Sequence, residues 1–203
     1  MQTHNCRLFV IFAQAADVAV ILRRGPTGWY HVVRWDTKRD EFLQGAWLRG
    51  RIYEGLCDIS PDGELLLYFV YKHIRRPSTH CYTALSRVPW LHALVIWPNP
   101  GWPISYGGRF VGKRLIAPRG TLAKPYPVLP KGIHLGRGDA PPHASTDEVE
   151  GADWTGHDQR GRLCYTVGGT LYRMANDQPQ LLADFTDLRP NPQPPPEAAK
   201  RPL

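Results

Sequence analysis

Apolar residues in this chain fall in short runs bounded by turn residues, a spacing that predicts strands joined by tight bends. The clearest unit reads D-I-S-P-D-G-E-L-L-L-Y-F-V-Y from Asp58 to Tyr71. Pro61 presets the first central dihedral of a turn, Asp62 can bond its own backbone, and Gly63 accepts a positive φ. Leu65 to Tyr71 then carries seven uncharged apolar or aromatic residues, the length and composition of a buried strand.

The same reading applies along the chain. Arg7 to Phe12, Val18 to Leu22 and Trp29 to Trp35 are three further strands, connected by Ala13 to Asp17 and by the polar turn Arg23 to Gly28. Phe42 to Trp47 with Ile52 to Leu56 fits either a strand pair or a short helix. Cys81 to Ser86, Trp90 to Trp97 and a hairpin-like pair across Ile104 to Ala117 follow. Leu163 to Val167 and Thr170 to Met174 flank Gly168-Gly169, a two-residue hairpin connection, and Gln180 to Phe185 supplies one more strand. Residues 118–151 form a long Pro/Gly-rich connection with room for a poorly marked strand. The expected fold is all-β, built of antiparallel β-sheets in a single β domain over residues 1–189. Six prolines among residues 190–203 predict an extended or disordered tail.

A weak internal repeat sharpens this picture. Laying Ser60 to Tyr68 (SPDGELLLY) over Asp158 to Thr166 (DQRGRLCYT) matches the glycines and sets Leu65 on Leu163. The motif S-P-D-G-x-L-L-x-Y resembles the turn-plus-strand signature of WD40-like and TolB-like β-propeller repeats. That resemblance implies a propeller-like frame of about four blades, or an incomplete propeller, with a β-sandwich as the alternative. It also implies a non-enzymatic module that binds a protein partner through loops, here Lys72 to Thr79 and Pro98 to Gly108.

Composition bears on the partner. The net charge of +7 is unevenly placed: residues 1–138 hold 19 Lys and Arg against 8 Asp and Glu, whereas residues 139–203 hold 6 against 10. A basic excess of this kind suits an acidic partner. Trp102 and Tyr106, with Arg75 and Arg76, are the expected contact residues, because flat rings interleaved with guanidinium groups suit recognition surfaces. A nucleic-acid binder using Arg75, Arg76, Arg109, Lys113 and Arg114 as phosphate contacts is the alternative. A hydrolase-like enzyme with its site in a central funnel is the third reading.

Several motifs fall short of the chemistry they suggest. Gly107 to Lys113 has phosphate-loop spacing, but Arg114 stands where Ser or Thr would hold magnesium and Pro118 forbids the following helix, so a glycine-rich hairpin explains it. Arg137-Gly138-Asp139 is a tripeptide that recurs by chance. His73, His80 and Cys81 lack ligand spacing, and no metal or cofactor is expected. Four dispersed cysteines predict buried thiols in a reducing compartment. Ala13-Gln14-Ala15 resembles a signal-peptidase site, but the apolar run before it is short, and a cytoplasmic location without a membrane span is expected.

Overall fold

The computed structural model describes residues 6–72, 81–99, 105–137, 143 and 148–203. These form four sheets. The first is an antiparallel meander of β1 (Arg7–Phe12), β2 (Val18–Arg24), β3 (Trp29–Asp36) and β4 (Glu41–Arg49). The second pairs β5 (Arg51–Ile52) and β6 (Asp58–Ile59) with β7 (Leu65–Tyr71), then adds β8 (Cys81–Arg87) and β9 (Ala93–Pro98). The third joins β10 (Ser105–Phe110) and β11 (Leu115–Gly120) antiparallel, with β12 (His134–Leu135) alongside in parallel. The fourth runs β13 (Trp154–His157), β14 (Leu163–Val167), β15 (Thr170–Ala175) and β16 (Gln178–Asp184). Where the sequence leaves strand pair or helix open after Phe42, the chain forms the long strand β4 and one 3-10 turn at Glu54–Leu56.

Two sheets are covered on both faces, and this explains their uninterrupted apolar runs. On β2, Val18, Val20 and Leu22 join a core shared with Leu66, Tyr68 and Val70 of β7. Its alternate residues Ala19 and Ile21 face Trp154, Cys164 and Leu171 of the fourth sheet. β7 repeats the device, because Leu65 and Leu67 pack with Phe110, Ile116 and Ile133 of the third sheet. Each fully buried Leu or Ile contributes about 1.5–3 kcal/mol. The sheets therefore stack in the order fourth, first, second, third. The opening strands of neighbouring sheets meet, β1 against β6 and β13, and β10 against β6.

The two sequence-matched turns each join a short strand to the longer strand it pairs with, β6 to β7 and β13 to β14. The Gly63 amide donates to the Ser60 carbonyl at 2.8 Å and the Gly161 amide to the Asp158 carbonyl at 2.9 Å, both glycines at φ +72°. Gly63 is further confined, since a Cβ there would sit 2.7 Å from Cβ of Val18.

Residues 190–203 end against the second and third sheets: Arg87 donates to the Pro202 carbonyl at 2.8 Å, Ala199 is buried, and Leu203 packs against the core that holds Leu65, Leu67 and Phe110. All four cysteines are unpaired and buried. Among the described residues no helix is long and apolar enough to cross a membrane.

Candidate functional site

A meander alternates direction, so the starts of β1, β3 and β5 share one end of the molecule with the ends of β2, β4 and β7. The chain places a cation at nearly every one of these points. Arg7 begins β1, Arg24 ends β2, Arg49 ends β4, Arg51 begins β5, and Lys72 follows β7. Together with the turn Gly25 to Gly28 they line a pocket of about 880 Å³ with no Asp or Glu among the described residues of its lining.

Register places like charges side by side. Arg7 pairs directly with Arg24 across β1 and β2, an arrangement that destabilises a sheet unless something anionic lies between. Arg7 reaches Asp153 at 3.2 Å with a side chain that is largely exposed. Among the described residues no carboxylate lies within ion-pair distance of Arg24, Arg49, Arg51 or Lys72. Arg51 lies with its guanidinium carbon 4.9 Å from the Tyr53 ring centroid, and its buried Nε has no hydrogen-bond partner. Lys72 Nζ stands 5.7 Å from the Tyr82 ring centroid. Tyr30 closes the floor, its hydroxyl donating to Glu54 Oε1 at 2.7 Å. Burial, then the Glu54 charge and hydrogen bond, push that phenol far up, so it stays protonated.

The turn is held from below by Arg23. This buried guanidinium donates to the Phe185 carbonyl at 2.8 Å, to the Gly25 carbonyl, and to the Thr186 and Leu188 carbonyls at 3.2 Å. Arg23 thereby fixes both the turn and the segment after β16. Gly28, at φ +80° with open space around it, keeps the turn free of side-chain bulk.

The opposite end is also charged, but there the charges are neutralised. Lys113 meets Asp62 at 3.2 Å, Arg114 meets Glu64 at 3.0 Å, and Arg160 meets Asp17 at 3.1 Å. Arg162 binds Asp158 at 2.7 Å and buried Arg173 binds Asp40 at 2.7 Å. Burial raises the carboxyls of Asp40 and Asp158, but hydrogen bonds and charge from Arg173 and Arg162 outweigh it and hold both below the ordinary range.

Of the residues singled out from sequence, Lys113 and Arg114 belong to this neutralised end, on the hairpin between β10 and β11. Arg109 is half-buried in β10. Arg75, Arg76, Trp102, His73 and His80 lie outside the described residues, as does the side chain of Tyr106. The phosphate-loop-like glycines form the expected hairpin: Val111 donates to the Leu115 carbonyl at 2.9 Å, and a Cβ on Gly107 would collide with the Leu56 carbonyl.

A second polar cluster is structural. Asp58 accepts from the Phe110 amide at 2.8 Å and the Ile59 amide at 2.9 Å, and lies 3.0 Å from His143 Nε2, while the His143 amide donates to the Gly55 carbonyl. The carboxylate is fully occupied in anchoring β10 and His143 to β6. Among the described residues no group of three or more His, Cys, Asp or Glu is placed to hold a metal.

The pocket cations escape sequence reasoning because they come from four separate stretches, none of them a basic cluster. The usable signal is positional: Arg24, Arg49 and Lys72 each follow an apolar run, and Arg7 and Arg51 each precede one. No protein-family model, curated protein or solved structure matches this chain.

Proposed function

We propose that this chain is a propeller-like binding module that engages an anionic partner at the end carrying Arg24, Arg49, Arg51 and Lys72. The frame is supported by the stacking order, which is the chain order turned by one place, as when the last blade of a ring sits beside the first. The similar turns at Ser60 to Gly63, between β6 and β7, and at Asp158 to Gly161, between β13 and β14, agree with it.

The observation that carries the binding reading is the difference between the two ends. Cations at one end are satisfied by carboxylates within the fold, in exposed pairs worth about 0–1 kcal/mol each and in a buried network of Arg173 with Asp40 and Asp158. Cations at the other end converge on a concavity whose described lining holds no carboxylate, and of them only Arg7 has an ion-pair partner, Asp153, among the described residues. Clefts lined by one sign of charge concentrate oppositely charged partners. A catalytic funnel would gather carboxylates or histidines, and the described residues of this lining include neither.

Retention on a heparin column tests the reading. Arg24→Glu/Arg49→Glu is expected to elute at markedly lower salt than the wild type, whereas Lys113→Gln/Arg160→Gln elutes near it. Retention that moves only with the second pair would contradict the assignment of the binding end.

A further inference from the structure

We infer that the ligand of the basic pocket is recognised through clustered phosphate groups. This rests on the reading of that end as a binding face. Four of the five lining cations are arginines, whose planar forks of donors match the oxygens of phosphate in pairs. The pocket concentrates them: Arg7 and Arg24 face each other in register, and Arg49 and Arg51 flank a single glycine. A ligand able to relieve that crowding carries several charges in a small volume, which phosphates do and separate carboxylate side chains do less well.

The remainder of the lining points the same way. Among the described residues Pro26 is its one aliphatic residue, and Tyr30 is buried with its hydroxyl committed to Glu54. An acidic protein surface draws affinity from apolar or aromatic anchors set in pockets, and this pocket offers none. Nor does it present a free aromatic face on which a base would stack. Contact is therefore with phosphate oxygens and independent of base sequence. Gly25, Gly28 and Gly50 leave the backbone open to close approach, and the orphaned Arg51 Nε is a buried donor awaiting an acceptor. Phosphates of this kind come either from a nucleic-acid backbone or from a free oligophosphate.

Calorimetric titration of the full chain distinguishes these sources. The probes are inorganic tripolyphosphate, a ten-residue oligothymidylate and a ten-residue polyglutamate, tested on wild type and on Arg24→Gln/Arg49→Gln. Both substituted residues are exposed, so the variant retains its fold, verified by its melting curve. Tripolyphosphate is expected to bind the wild type and to bind the variant at least about tenfold more weakly. Its affinity should fall as salt rises, and that of any bound oligothymidylate should fall on log–log axes by roughly 0.7 per phosphate contact. Oligothymidylate that competes with tripolyphosphate assigns the phosphates to a nucleic-acid backbone; tripolyphosphate binding without oligothymidylate assigns them to a compact oligophosphate. Polyglutamate binding alone, weakened in the variant, overturns the phosphate inference and leaves the anionic-partner reading standing. No binding by any probe, or binding equal in wild type and variant, overturns both.

Discussion

His31 should make the protein acid-sensitive well above the carboxylate range. It lies on β3 with Arg23 opposite on β2 and Trp47 opposite on β4. Its ring stacks on Trp47 at 4.3 Å with planes 6° apart, fully buried, and the Arg23 guanidinium stands over the same indole. A backbone contact to Gly45 pulls slightly toward protonation, but neither ring nitrogen reaches a partner at hydrogen-bond geometry. Charging this ring would place a second cation in a dry site beside Arg23. Burial first, then Arg23, hold its pKa down to about 4, against 6.5 for a solvated imidazole.

The sign follows from proton binding. Below pH 6.5 the unfolded chain protonates His31 while the folded chain does not, so stability falls as pH drops from 6.5 toward 4. The loss amounts to ~2 kcal/mol at about pH 5 and ~3 kcal/mol once both states are protonated. Urea unfolding at about pH 7 and pH 5 reads it directly, as a midpoint lowered by roughly 1 M for a slope near 2 kcal/mol/M. His31→Phe keeps the shape and removes two unpaired nitrogens, so it should be near neutral or stabilising at pH 7 and should abolish most of the drop. Equal losses in wild type and His31→Phe would refute the reasoning.

Three further outcomes follow from the geometry. Arg24→Gln/Arg49→Gln removes like-charge crowding, so without ligand its melting temperature should equal or exceed that of the wild type, by up to ~1 kcal/mol of stability. Gly63→Ala combines φ +72° with a collision at Val18 and should cost about 2–4 kcal/mol by chemical denaturation, whereas Gly161→Ala, at the same φ but in open space, should cost only ~1–2 kcal/mol. Arg173→Met strips buried support from Asp40, itself about a third exposed, and should cost about 2–3 kcal/mol. The stability that the depressed Asp40 and Asp158 carboxyls supply above their unfolded pKa is lost as pH falls through their folded values, below about 4, and Arg173→Met should lose less there.

Much of the all-β framework was legible because it rests on local chemistry. The runs at Val18, Trp29, Leu65, Cys81 and Thr170 became strands within a residue or two of their expected limits, and the Ser60 turn has the hydrogen bonds its residues imply. What escaped depends on neighbours. β13, W-T-G-H, has no aliphatic run and is held by pairing to β14 and by the burial of Trp154 between the first and fourth sheets. β12 falls in the 118–151 connection, where the sequence allows a poorly marked strand without placing it, because its two residues are exposed and it pairs only with the parallel strand β11. The basic pocket escaped for the same reason, since its cations converge only once the meander has aligned distant strand ends.

Backbone amide shifts followed during titration with tripolyphosphate test the basic end most directly. The expected result is movement concentrated at Arg24 to Gly28 and Arg49 to Arg51, saturating with added ligand. Shifts centred on Lys113, Arg114 and Arg160 to Arg162, or no shifts at all, would contradict the assignment of that end as the binding face.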